Sequence, residues 1–195
     1  MQICLYEPGS GYYTSRAQRI GAEGDFYTSP TAHPAFASLL ALQLEQMWRA
    51  LGEPSPFTVV EKGGGRGLLA GDLTTYAQHL SPGFCQALDY ILTEHRAVPE
   101  DLPPSVRACV APDALPVSGI TGCILTNEFF DALPVHRVAR VGGRLQEIFV
   151  TLGEDGLAEE LGEPSTPDLE AYFRWIGNEL PEGCYAEVNL EAPRW

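Results

Sequence analysis

The chain has 195 residues, carries 26 acidic against 12 basic side chains, and has a formal net charge of −14. That length suits one well-buried domain with room for a small appendage, and the 45% apolar and 19% charged content is that of an ordinary globular protein. So acidic a field repels a phosphate backbone, which sets nucleic acid aside as a substrate; it favours a basic partner, or serves only solubility.

Residues 1–33 are rich in Gly, Tyr, Ser, Thr and Pro and read as an ordered loop layer with short strands. From Pro34 to Leu51 the pattern is helical: Phe36, Leu39, Leu40, Leu44, Met47, Trp48 and Leu51 recur at three- and four-residue steps, and Gly52 and Pro54 stop the run. Phe57–Val60 reads as the first parallel strand, Leu68 to about Leu80 as its helix, and Ala87–Glu94 as a second strand ending in an acid. Val106–Val110 reads as a third strand, and Cys123–Thr126 as a fourth, apolar in the way of buried parallel strands. Val135–Val141 and Arg144–Leu152, joined by Gly142-Gly143, predict a β-hairpin. Asp168–Leu180 predicts a helix and Cys184–Leu190 a further strand. Alternating strands and helices from 57 to 126 make the fold α/β, with a parallel sheet. The expected division is 1–52 as an N-terminal segment and helix, and 53–195 as the core carrying the hairpin as an insertion.

Five cysteines, Cys4, Cys85, Cys109, Cys123 and Cys184, stand singly, with no C-x-x-C pair, so neither a disulfide framework nor a zinc site is expected. The four histidines form no ligand cluster, and no metal is expected. No apolar run has the length of a membrane span, and Met1–Tyr6 lacks the marks of a signal peptide. A soluble, intracellular protein with reduced thiols is expected.

The densest chemical signal is Glu61-Lys62-Gly63-Gly64-Gly65-Arg66-Gly67, between the first strand and its helix. Strand, glycine turn and helix in that order make a nucleotide-type pocket, because glycine lets the backbone turn and approach a ligand closely. Glu-x-Gly-x-Gly-x-Gly looks like the first motif of S-adenosylmethionine (SAM) methyltransferases, whose strand-end acid faces the cationic methionine end of SAM. Gly65-x-Gly67-x-x-Ala70 also fits the dinucleotide fingerprint, which would make the protein an NAD-linked oxidoreductase. A carboxylate at Glu61 suits a cationic ligand end better than a pyrophosphate. Glu94, ending the second strand, is placed to accept from ribose hydroxyls. Asn127, Glu128 and Asp131 follow the fourth strand, where the carboxyl ends of an open sheet line its ligand crevice. Helix capping is the competing reading for Glu128 and Asp131.

Several tracts, in the right order, are similar to the MidA family of SAM-dependent methyltransferases. They are Leu5-Tyr6-x-Pro8-x-x-Gly11-Tyr12-Tyr13, Ile20-Gly21-x-x-Gly24-Asp25-Phe26-Tyr27-Thr28-Ser29-Pro30, the Val60–Leu73 glycine tract, Asn127–Arg137, and Glu187-Val188-Asn189. The resemblance implies a Rossmann-like methyltransferase fold and S-adenosyl-L-methionine as cofactor, held by Glu61, Gly63, Gly65, Gly67 and Glu94. It implies a covering loop with Asp25, Phe26 and Thr28, and an arginine acceptor met by Glu128 first, with Asn127 and Asp131. It also implies a protein substrate, such as a respiratory-complex subunit, in the bacterial cytoplasm or the mitochondrial matrix. The chain departs from the family at Lys62 and Gly64, where an apolar residue and Ala are usual, and at His95-Arg96, where a serine and a helix are usual. The family runs well past Trp195, so the last strands of its sheet are expected beyond this chain. A catalytically silent assembly module of the same family is the alternative from a different class.

Overall fold

A computed structural model of the chain describes residues 1–15, 27–95, 97–111, 115 and 117–194. In chain order it holds α1 (Gln2–Tyr6), α2 (Ser29–Ala32), α3 (Ala35–Ala50), β1 (Phe57–Lys62), α4 (Leu68–Ala77), α5 (Pro82–Ala87) and β2 (Leu88–Glu94). Then come β3 (Val106–Val110), β4 (Gly122–Thr126), β5 (His136–Val141), β6 (Arg144–Gly153), β7 (Gly156–Gly162), α6 (Asp168–Ile176) and β8 (Tyr185–Val188). The chain forms two compact units, residues 17–129 and residues 1–16 with 130–195, a division that does not coincide with the expected one at 52 and 53.

The first unit is built on a parallel sheet of order β3-β2-β1-β4. Phe57 and Val59 of β1 and Tyr90 and Leu92 of β2 face one way, and α3 and α4 cover them. Helix α3 buries Ala37, Ala41, Leu44, Glu45 and Trp48, and Phe36, Leu40 and Met47 pack against the same core as the apolar spacing implies, while Leu39 and Leu51 stay exposed. Small Ala37 and Ala41 let the helix lie close to its neighbours. Helix α4 ends at Ala77, not near Leu80; Pro82 then opens the short α5, which the sequence reading did not anticipate. Phe84 of α5 is fully buried, with its ring centroid 5.7 Å from that of Trp48 and 6.0 Å from that of Phe57. The strand β4 lies at the sheet's edge, and its Ile124 is 55% exposed, so the expectation of a strand buried on both faces does not hold.

The second unit departs further from the sequence reading. The hairpin of β5 and β6 turns at Gly142-Gly143 as expected, but it is part of an antiparallel sheet of order β7-β6-β5-β8. Strand β7, Gly-Leu-Ala-Glu-Glu-Leu-Gly, went unread because Ala and Glu are poor strand formers; its pairing with β6 overrides that preference. The expected further strand is β8, which pairs antiparallel with β5. One face of this sheet buries Val138, Leu145 and Val188 under Leu169 of α6, which Gly177 ends in a left-handed conformation at φ 66°. Residues 1–15 hold the helix α1 and turns rather than the expected short strands.

Phe84 joins α5 to α3 and β1, so its truncation opens a cavity among large rings. Phe84→Ala is expected to cost roughly 3–5 kcal/mol, read from the urea midpoint at an unchanged slope. A loss below about 1 kcal/mol would show that α5 is not part of the core.

Candidate functional site

Strand β1 runs two residues further than its apolar stretch, so Glu61 and Lys62 are strand residues on opposite faces of the sheet. The N–H of Gly63 donates to the carbonyl of Thr93 (2.9 Å), the N–H of Gly67 to that of Gly64 (2.9 Å), and α4 starts immediately after. The glycines differ in what their missing side chains leave. A Cβ on Gly64 would lie 2.5 Å from Leu92, and one on Gly67 2.4 Å from Leu102. Among the described residues Gly65 has nothing within 4 Å of that position, and it sits at φ +55°.

Two carboxylates flank this turn on the face that carries Tyr90 and Leu92. Glu61 is only 3% exposed, and the Tyr90 hydroxyl donates to its Oε2 at 2.9 Å. Burial pushes its pKa up to about 7, the Tyr90 bond opposes that, and the nearby Glu94 charge adds to it. The same burial and the Glu61 charge push the Tyr90 phenol well above its ordinary value. Glu94 accepts from the N–H of Gly65 and, at 3.1 Å, from the N–H of His95. The structure therefore brings Glu61, Glu94, Gly63, Gly65 and Gly67 together.

Strand β4 pairs with β1 so that Thr126 stands opposite Lys62, and Asn127 and Glu128 leave the sheet beside the glycine turn. Glu128 is exposed and sits at φ 50°, a left-handed backbone that a side chain of its kind seldom adopts. The ring of Phe129 covers Gly63, 2.9 Å from where a Cβ would stand. Asp131 lies in a 3-10 turn, Phe130–Ala132, that belongs to the other compact unit, where its charge helps to raise the Tyr13 pKa after burial. Thr28 is the N-cap of α2, in a reciprocal box with Thr31. Asp25 and Phe26 lie outside the described residues.

Sequence reasoning passed over two residues. Tyr90 carries a hydroxyl inside an otherwise apolar strand, and a buried phenol needs a polar partner, so that signal was present. Lys62 was noted only as a departure. It is 3% exposed, donates to the Ala111 carbonyl and stands 5.7 Å from the Phe129 ring centre, linking the ends of β1 and β3 to the loop after β4.

A buried carboxyl of raised pKa makes a checkable mark on stability. The folded value, about 7, exceeds the ordinary 4.5, so stability is fully present below about pH 4.5 and is lost as pH rises through 7, by on the order of 3 kcal/mol. Glu61→Gln, which keeps the Tyr90 contact and cannot ionise, is expected to raise the melting temperature at pH 8 and to flatten its fall between pH 5 and 8. A variant with the parental profile would show that Glu61 does not carry the shift.

Residues 39–195 match the family model described as "Putative S-adenosyl-L-methionine-dependent methyltransferase". The chain is 35% identical over its whole length to "Protein arginine methyltransferase NDUFAF7 homolog, mitochondrial" of Drosophila melanogaster, covering 50% of that protein. It is 29% identical over 89% of its length to the human "Protein arginine methyltransferase NDUFAF7, mitochondrial", covering 46% of it. Among solved structures, a likely methyl transferase from Burkholderia thailandensis bound to S-adenosyl-homocysteine superposes with a TM-score of 0.74 at 28% identity. That match covers 96% of this chain and 50% of the other. The chain thus spans about half the length of the relatives it matches, and it belongs to the family of putative S-adenosyl-L-methionine-dependent methyltransferases.

Proposed function

We propose that this chain forms the cofactor-binding part of a SAM-dependent methyltransferase whose acceptor is an arginine in a protein. The observation that carries this is the buried carboxyl of Glu61 against Gly64 of the glycine turn, with Glu94 bonded to the next glycine, Gly65. An isolated buried carboxyl is costly, and a cationic ligand end relieves that cost. The residues present fit SAM, which supplies a methyl group on a positively charged sulfur. Two carboxylates at the turn oppose a pyrophosphate, and the Gly65 N–H that would meet one is held by Glu94. The NAD reading is set aside on these grounds.

Glu61 accepts from the ammonium of the methionine end, with Tyr90 fixing its orientation. Glu94 accepts from the ribose hydroxyls, Gly65 keeps the floor free of a side chain, and Gly63 and Gly67 bend the turn that presents it. Thr28, with Asp25 and Phe26, belongs to the segment we assign as the cover. Glu128 pairs in plane with the acceptor guanidinium and aligns its nitrogen; Asn127 supports it, and Asp131 is the second choice. A strained left-handed backbone at Glu128 supports a functional role, since capping needs no such conformation. The substrate we propose is a basic region of a protein, with a respiratory-complex subunit as the candidate that the family resemblance suggests. The five free cysteines suit a reducing compartment, the bacterial cytoplasm or the mitochondrial matrix.

Calorimetric titration with SAM tests this directly. The parent chain is expected to bind, more weakly as pH falls below about 7, because Glu61 must then lose a proton. Glu61→Gln removes a charge-assisted bond, a loss of about 1.5–3 kcal/mol. Gly65→Val is expected to abolish binding, since its side chain enters the space the ligand needs. Equal affinity of Glu61→Gln and the parent, or pH-independent binding, overturns the assignment of Glu61.

Glu128→Gln separates chemistry from binding. SAM affinity is expected to stay within a few-fold, while methyl transfer to an arginine-bearing peptide falls by on the order of a hundredfold. Parental transfer would make Glu128 a turn residue and move the acceptor site to Asp131. SAM binding with no transfer by any variant, the parent included, would favour the assembly module.

A further inference from the structure

Tyr90 belongs to no motif, yet strand register makes it part of the site. In β2 it stands opposite Val59, and Leu92 stands opposite Glu61, so Tyr90, Leu92 and Glu94 share the sheet face of Val59 and Glu61. Tyr90 is fully buried, and among the described residues its hydroxyl is the one donor to the Glu61 carboxylate, 2.9 Å from Oε2. Burial pushes that carboxyl up to about 7, the Tyr90 bond opposes the rise, and the Glu94 charge adds to it. The phenol is itself pushed well above its ordinary value, so it stays protonated and able to donate wherever Glu61 titrates.

Among the described residues, little else on this face sets the charge of Glu61. Strand β3 brings Val106 and Ala108 to it, and β4 brings Cys123, whose thiol burial keeps neutral by raising its pKa. None of the side chains that α4 buries is ionisable. Helix α3 buries one carboxylate, Glu45, which already accepts from Arg49 and from the N–H of Ser81, each at 2.9 Å. Lys62, Asp89 and Arg107 belong to the opposite face. Tyr90 and Glu94 are therefore the two groups that act on the Glu61 carboxyl, and they act in opposite directions.

We propose that Tyr90 is a positioning residue whose hydroxyl keeps Glu61 ready as a carboxylate for a cationic ligand end, and that its balance against Glu94 sets the lowest pH at which the pocket takes that ligand. A hydrogen bond donated to a carboxylate favours the ionised form, and a neighbouring negative charge disfavours it. When Glu61 holds its proton, an incoming ammonium meets a neutral acid, and binding must first release that proton to solvent. The inference rests on the SAM reading for the identity of the ligand; the link between Tyr90 and Glu61 needs no ligand.

Two titrations test this. In the ligand-free protein, the infrared carboxyl band that Glu61→Gln removes is followed against pH. Tyr90→Phe keeps the buried ring and is expected to raise the midpoint of that band by about one pH unit, while Glu94→Gln lowers it. SAM affinity of Tyr90→Phe, read by calorimetry, is expected to fall about tenfold near pH 6 and to return to within about twofold of the parent near pH 9. In a Glu61→Gln background, Tyr90→Phe is expected to leave the pH profile flat. An unchanged ligand-free midpoint in Tyr90→Phe, or a SAM affinity lowered equally at every pH, overturns the inference and leaves the SAM reading standing. An unchanged midpoint in Glu94→Gln, a variant of a side chain that is not fully buried, overturns the balance even where Tyr90→Phe fails to fold. A parent that binds no SAM while the ligand-free midpoint still moves overturns the SAM reading and upholds the link between Tyr90 and Glu61.

Discussion

The hydrogen bond from Tyr90 to Glu61, in a place almost closed to water, is the constraint around which the first unit is arranged. A carboxyl at the end of β1 faces the helices that cover the sheet, so it must take a neutral form or find partners. The fold gives it one phenol from the adjacent strand and, beyond that, the thin backbone of Gly64, whose missing Cβ would stand 3.2 Å from the carboxyl carbon. A side chain at Gly64 would strike Leu92 and crowd Glu61, so the close approach of the turn to Glu61 rests on Gly64, while Gly67 both adjoins Leu102 and takes a left-handed backbone at φ +75°. Gly65 differs, since among the described residues nothing lies within 4 Å of where its Cβ would stand. The motif therefore divides into glycines that shape the turn and one that leaves it accessible.

That division explains which features the sequence made legible. The parallel strands β1 and β2, the helices α3 and α4, and the hairpin turn at Gly142-Gly143 each rest on local periodicity or turn chemistry, and each lies close to where that pattern predicts. Glu61 and Glu94 were found because acids at strand ends before and beside a glycine turn have a geometric meaning. The partner of Glu61 was not found, since Tyr90 reads as one more aromatic in an apolar strand until register places it on the same face. Strand β7 was missed because its alanine and glutamates oppose a strand, and only pairing with β6 decides it. The pairing of β8 with β5 joins residues some fifty apart in the chain, and no local pattern specifies that.

Lys62 shows how a departure from a family pattern is absorbed. On the face opposite Glu61, an apolar residue would need only packing, whereas a lysine needs acceptors. Its ammonium reaches the Ala111 carbonyl and stands against the Phe129 ring. The same ring closes over Gly63. A single aromatic thus receives the cation from one side and shields the turn's first glycine. The loop that follows β4 is thereby tied to β1 by a contact that no strand pairing provides, and Glu128, held at φ 50°, stands immediately before it. A left-handed residue on a free loop would relax toward an ordinary conformation. Glu128 stands between the edge strand β4 and Phe129, whose ring lies against Gly63. Glu128 and the first glycine of the turn thus share Phe129 as a neighbour, and Lys62 stands against the same ring.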